Sequence, residues 1–312
     1  MPGSLRRHID LSALRDVPLF TTSQARDAGI SGHDLALLVR RELIWRPAQG
    51  WYSCLPDVTE DERHVLRTVA ALRVNGPGAV ACRVSALLLH GLPVARCDLS
   101  VVEIATTGGG HGRTRSGVRV SQLPSKGAAP LRVAVPLVDA DIPVVDVPTA
   151  IVGAARCNSA PGALVAADFA VDQGMCTVED IAASLKAHAG STGIERARAW
   201  LADIDPRHES AGETLTAVIL RQGSWEFEPQ LWVRAGGRNC RLDFALREYK
   251  VAIEFDGEGK YTGPEVMEDQ LARQAALEAE GWVFVRLGWA DLDDPTTLLR
   301  RIADAVAMAE AR

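Results

Sequence analysis

A chain of 312 residues is longer than one typical hydrophobic core, so two or three domains are expected. With 47% hydrophobic and 24% charged residues it has a globular composition, and it lacks the run of about 18 uncharged apolar residues that a membrane span needs. The net charge of −6 argues against a basic nucleic-acid coat protein; residues 206–312 carry all of it, and residues 1–55 have a slight basic excess.

The first residues, MPGSLRRHIDLSAL, hold no apolar signal core, so export is not expected and a cytoplasmic location is. Cys54, Cys82, Cys97, Cys157, Cys176 and Cys240 show neither a CxxC nor a matching His spacing, which predicts reduced thiols and no zinc site. In chain order, residues 11–14 open a short helix and residues 23–28 form a second, stopped by Gly29. Ser31 with Asp34 reads as a capping box for a helix over 34–43, which ends in Arg40 and Arg41. Residues 44–46 and 51–53 are short strands around a turn, with Arg46 at its edge. Helix, helix, turn, helix and hairpin is the order of a winged helix-turn-helix, predicted over 1–56.

The stretch TTSQARDAGISGHDLALLVRRELIWRPAQGWYS carries T-x-x-Q-A-x-x-x-G, a Leu- and Arg-rich helix and a closing G-W-Y. On these residues it resembles the N-terminal winged-helix module of AbiEi-type antitoxin regulators. The resemblance implies double-stranded DNA as a partner and a cognate toxin as a second one. It places Ser31, His33 and Asp34 toward the major groove and Arg40, Arg41 and Arg46 near phosphates. The alternative for this module is a small helical cap that contacts protein.

Residues 57–205 read as a mixed α+β middle region. Thr59 caps a helix through Arg73, and residues 79–90 are expected as a further helix ended by Gly91, with His90 as its cap. CRVSALLLHGLPV resembles the segment that follows the winged helix in the same regulators, which commonly carry Ser-His-Arg-Ser where this chain has Ala81, Cys82, Arg83, Val84 and Ser85. Strands are expected at 99–105 and 118–122, joined by a Gly-rich loop over 107–117 with His111, Arg113 and Arg115. That loop joins strands and opens no helix, so a phosphate cradle is excluded. Short strands at 133–135 and 144–146 and helices at 149–155, 162–173, 177–186 and 193–201 complete a region read as scaffold.

The C-terminal region, 206–312, predicts a helix from Ser210, strands at 230–233, 241–246 and 251–256, a helix over 264–280, a strand at 282–287 and a last helix. A hairpin closed by residues 247–250 sets Asp243 opposite Glu254, and alternation puts Glu254 and Asp256 on one face. Leu242, Phe244 and Leu246 are expected to share an apolar face. Carboxylates so gathered repel one another unless a divalent cation with oxygen ligands relieves them. The bland alternative is a solvated sheet face paired with Arg241 and Lys250.

The order αβββαβ, with S-x-G-E at Ser210 to Glu213, L-D-F at Leu242 to Phe244, I-E-F-D-G at Ile253 to Gly257, Lys260 with Tyr261, and G-W-V-F-V-R-L at Gly281 to Leu287, resembles the Vsr-like subgroup of PD-(D/E)XK endonucleases. The resemblance implies metal-dependent hydrolysis of DNA phosphodiester bonds with Mg²⁺ or Mn²⁺. It makes Asp243 and Glu254 metal ligands, and Glu213 the further acid that orients metal or water. Asp256 stands where the general pattern has Lys, and Lys260 is the ammonium nearest to restoring it. Trp225, Trp232, Trp282 and Trp289 are expected as core and rim. The two functional classes are an α/β endonuclease steered by a winged helix, and a transcriptional regulator whose nuclease-like domain is inactive.

Overall fold

The computed structural model describes residues 9–106, 112–123, 129–257 and 264–311. The chain is mixed α and β and divides into two compact units, Met1–Ala163 with Cys176–Ala199 and Leu164–Met175 with Trp200–Arg312. Among the described residues, no helix is long and apolar enough to cross a membrane. All six cysteines are free thiols.

The first unit begins with β1 (Phe20–Thr21), α1 (Thr22–Asp27), α2 (Gly32–Arg40), β2 (Trp45–Ala48) and β3 (Trp51–Ser53). Capping boxes start both helices, Thr21 with Gln24 and Ser31 with Asp34, each satisfying amide donors a helix start leaves open. The three strands form a sheet in the order β1-β3-β2, and Leu14, Phe20, Ala25, Ile30, Leu35, Leu38 and Ile44 fill the core beneath. The hairpin leans on α3 (Glu60–Asn75): Arg63 lies 4.6 Å from the ring centroid of Trp45, and Arg73 4.9 Å from that of Trp51.

Beyond α3 come β4 (Ala79–Ala81), α4 (Arg83–Leu89), β5 (Val102–Thr106), β6 (Arg113–Arg115), β7 (Val118–Gln122), β8 (Leu131–Val135) and β9 (Ala140–Val144). They form a six-stranded sheet ordered β6-β7-β5-β4-β9-β8. The helix expected over 79–90 is therefore shorter: residues 79–81 pair with β5 and β9, and the helix starts only at Arg83. Arg113–Arg115, expected as loop, is a strand because it folds back on β7 as a hairpin. His111 lies outside the described residues. His90 is the C-cap of α4, and its Nε2–H donates to Val145 O at 2.7 Å. The unit also contains α5 (Val147–Cys157) and α7 (Val178–Ala187).

Within this sheet, Glu103 is fully buried and accepts from Arg83 Nη1 (3.1 Å), Arg119 Nη1 (2.9 Å) and Asn158 Nδ2 (3.3 Å). Three donors, two of them cationic, compensate the desolvation of that carboxylate. Ser85 Oγ accepts from the Glu103 amide and donates to His64 Nε2, both at 2.8 Å, while His64 Nδ1–H donates to Leu99 O at 2.9 Å. The scaffold thus holds a fully bonded polar network.

With most of α8 (Ile194–Leu201) in the first unit, the second contains the later part of α6 (Ala160–Asp172), then α9 (Ala211–Leu220), β10 (Glu228–Ala235), β11 (Arg238–Leu246), β12 (Val251–Phe255), α10 (Pro264–Ala279), β13 (Val283–Leu287) and α11 (Pro295–Glu310). Its sheet is ordered β10-β11-β12-β13: antiparallel through β12, then parallel between β12 and β13, which α10 connects. Asp168, on α6, accepts from the Asp205 amide, from Thr214 Oγ1 and from His208 Nδ1 at 2.8–2.9 Å, which fixes the chain entering α9.

Candidate active site

Ser210 caps α9. Its Oγ accepts from the Glu213 amide at 3.2 Å and donates to Glu213 Oε1 at 2.8 Å. Glu213 Oε2 accepts from the Glu209 amide (2.9 Å) and from Gln230 Nε2 (2.8 Å). At 3% exposure, burial pushes the Glu213 carboxyl above the ordinary range; the Glu209 and Ser210 hydrogen bonds oppose this, and the charge of Asp243 adds to it.

The β11–β12 hairpin closes through residues 247–250 with Phe244 opposite Ile253, Ala245 opposite Ala252 and Leu246 opposite Val251. Regular pairing ends at Phe244 and Ile253, one residue short of the expected Asp243–Glu254 pair. Asp243 Oδ2 accepts the Phe255 amide at 2.9 Å, a main-chain donor that a carbonyl would take in a regular ladder. On the other side of β11, pairing runs Pro229 with Phe244 and Leu231 with Leu242, and skips Gln230, whose φ is 57°. The expected sharing of one face by Leu242 and Phe244 is interrupted there. Leu242 joins Cys240, Ala245, Ala252, Leu277 and Trp282, while Phe244 packs against the rings of His208 and Phe227.

Glu254 is 5% exposed. Its Oε1 accepts from Arg273 Nη2 of α10 at 2.7 Å, and its Oε2 lies 3.9 Å from Arg286 Nη2 of β13. Arg286 Nη1 is 3.6 Å from Asp256 Oδ2, and its Nη2 donates to Gln274 Oε1 at 3.0 Å. Arg273 also donates to the carbonyl of Arg241, whose own guanidinium makes a bidentate pair with Glu209 at 2.7 Å. Lys260 lies outside the described residues.

Glu213, Asp243 and Glu254 offer hard oxygen ligands, and Gln230 Oε1, next to Glu213, is buried with no hydrogen-bond partner. An orphaned buried oxygen beside carboxylates suits a hard cation. As the side chains stand, no three His, Cys, Asp or Glu among the described residues gather closely enough to hold one. The set fits in kind, with Glu254 turned to arginine.

Arg273, Arg286 and Gln230 are the residues that sequence reasoning missed. Arg286 had a signal, since parallel pairing of the two apolar strands sets Glu254 directly across from it. Arg273 had none, because only the packing of α10 brings it to β12. Of the tryptophans, Trp282 is core, whereas Trp232 is 63% and Trp289 41% exposed; Trp289 meets Phe255 edge-on at 5.2 Å.

In the first unit, His33, Ala36 and Arg40 are exposed at helical spacing on α2, with Arg41 and Arg46 exposed beyond it. Ser31 is exposed, but its hydroxyl donates to Asp34 Oδ2 at 2.6 Å. Asp34 itself is buried at 6% exposure, so the capping box withholds it from the solvent face that His33 shares.

No family profile matches the chain. Two uncharacterized proteins, from two strains of Mycobacterium tuberculosis, are each 32% identical to it over 152 residues, 48% of this chain and 56% of the relative. The chain thus spans little more than half the length of the curated relatives it matches.

Proposed function

We propose that this protein binds double-stranded DNA through a winged-helix module at its N-terminus and hydrolyses phosphodiester bonds with a PD-(D/E)XK-type C-terminal unit. The observation that supports the reading is Glu213, at the start of α9, within electrostatic reach of Asp243 on β11, with Glu254 on the neighbouring β12 and the elements in the order αβββαβ. Asp243 and Glu254 would hold Mg²⁺ or Mn²⁺, with Gln230 Oε1 as a further oxygen. The chemistry such an ion supplies when bound is polarisation of the phosphate and a lowered pKa of water. Glu213, with its proton affinity raised by burial, takes a proton from the attacking water. Arg286, beside Asp256, offsets charge that develops on the phosphate.

On α2, the exposed His33 faces base edges, while Arg40, Arg41 and Arg46 take phosphates; Ser31 contributes through its backbone and cap. A cognate toxin belongs to the same reading as a second partner, by resemblance to the antitoxin regulators.

A second reading is favoured by one observation, the Arg273 guanidinium on Glu254: a DNA-binding regulator whose nuclease-like unit is inactive. A plasmid-nicking assay with Mg²⁺ or Mn²⁺ separates the two. Cleavage abolished by Asp243→Ala or Glu254→Ala supports the enzyme; a footprint on DNA without cleavage under any of these conditions rejects it.

A further inference from the structure

We propose that Arg273 is an intramolecular competitor for the cation site, and that a divalent ion gains Glu254 only when this guanidinium leaves. The inference rests on the nuclease-type reading of the acidic residues and adds a control on their metal affinity.

Three observations carry it. Arg273 Nη2 donates to Glu254 Oε1 at 2.7 Å, the length of a charge-assisted hydrogen bond. The same nitrogen donates to the Arg241 carbonyl, so the guanidinium is seated at two points across β11 and β12. The pair is largely withdrawn from water, with Glu254 and Arg273 side chains 6% and 20% exposed. An arginine stays protonated at any physiological pH, so the contact is relieved by displacement and never by loss of a proton.

The two arginines differ in freedom. Arg286 is fixed in β13 opposite Glu254 and is tied to Gln274, and it stands off at 3.9 Å. It compensates charge without taking a lone pair. Arg273 reaches in from a helix on a long side chain and occupies the oxygen itself. A metal–oxygen bond is about 2.1 Å long, and a dication so close to a guanidinium is repelled strongly in a site with little water. General chemistry supplies a relief: a phosphate oxygen accepts from a guanidinium as well as a carboxylate does. A DNA backbone entering the site would draw Arg273 off Glu254, so that metal and DNA bind with positive coupling.

The test is a Mn²⁺ titration of the full chain, reading free Mn²⁺ by electron paramagnetic resonance, on wild type, Arg273→Gln and Arg273→Lys. Arg273→Gln should bind Mn²⁺ about ten-fold or more tightly than wild type, the change expected on losing one charge-assisted hydrogen bond. Arg273→Lys, which keeps the positive charge, should stay close to wild type. Equal or weaker binding by Arg273→Gln overturns the lock while leaving the metal site standing. Absence of Mn²⁺ binding by every form overturns the lock and the metal-dependent reading together. Should Arg273→Gln fail to fold, wild type alone decides: saturating Mn²⁺ should speed amide hydrogen exchange in α10 around Arg273, and unchanged exchange rejects the proposal.

Discussion

The ring of Phe255 lies so close to Gly212 that a Cβ built there would sit 2.1 Å from its Cε1 atom. The glycine of S-x-G-E is thus a packing requirement: it lets α9 approach β12 and brings the adjacent Glu213 within electrostatic reach of Asp243. Gly212→Ala should destabilise the second unit by about 1–3 kcal/mol, the usual cost of overpacking. Urea unfolding would measure it, and a change near zero would mean that α9 is free to shift.

Glu213 predicts a pH dependence. Its folded carboxyl holds a proton more tightly than the unfolded one, because burial disfavours its charge. Its favourable contribution is therefore complete below the ordinary glutamate value of 4.5 and is lost as pH rises through the folded value. Glu213→Gln cannot ionise, so its stability relative to wild type should improve as pH rises across that window. Melts of both proteins from acid to neutral pH would check the sign.

His64 predicts the opposite slope. Burial first, with help from Arg67, lowers its pKa below the ordinary 6.5, and the Leu99 hydrogen bond opposes the shift. The neutral imidazole is the folded form, so its contribution is present above 6.5 and is lost as pH falls through the folded value. Ser85→Ala should cost about 2–4 kcal/mol, since it strips a partner from both His64 Nε2 and the buried Glu103 amide. Thermal unfolding of this variant at neutral pH measures that loss.

The exposed face of α2 gives a test by salt. If Arg40 and Arg41 each neutralise one phosphate, each alanine substitution should lower the slope of log affinity against log salt by about 1, with little change in sequence preference. His33→Ala should instead relax discrimination between binding sites. Fluorescence anisotropy over a salt series distinguishes these outcomes; slopes unmoved by both arginine changes would favour a protein-contact role for the module.

Local rules were legible in the sequence wherever partners lie within a few residues. The capping box of Ser31 with Asp34, the Thr59 cap and the helix start at Ser210 were readable because a helix start needs an acceptor at fixed spacing. The four-residue loop 247–250 likewise determined the hairpin register, from Leu246 opposite Val251 to Phe244 opposite Ile253. Local reading failed at residues 79–81, an apolar run that suits strand or helix equally until β5 and β9 supply partners. It failed again at Asp34, where the capping function recognised from spacing removes the side chain from the DNA-facing role given to it.

What the sequence by itself determined is the set of acids and their order on the chain: Glu213 on a capped helix, Asp243 and Glu254 on consecutive strands, and Asp256 two residues beyond Glu254. What only the tertiary structure decided is their electrical state. Arg273 sits 19 positions beyond Glu254, and the α10 packing that seats it there leaves no short-range pattern in the sequence. Orphaning of Gln230 Oε1 depends in the same way on the backbone at Gln230 and on the neighbours that crowd it. Charge compensation in a buried site is a matter of distances between elements, and those exist only once the sheet and its helices have packed.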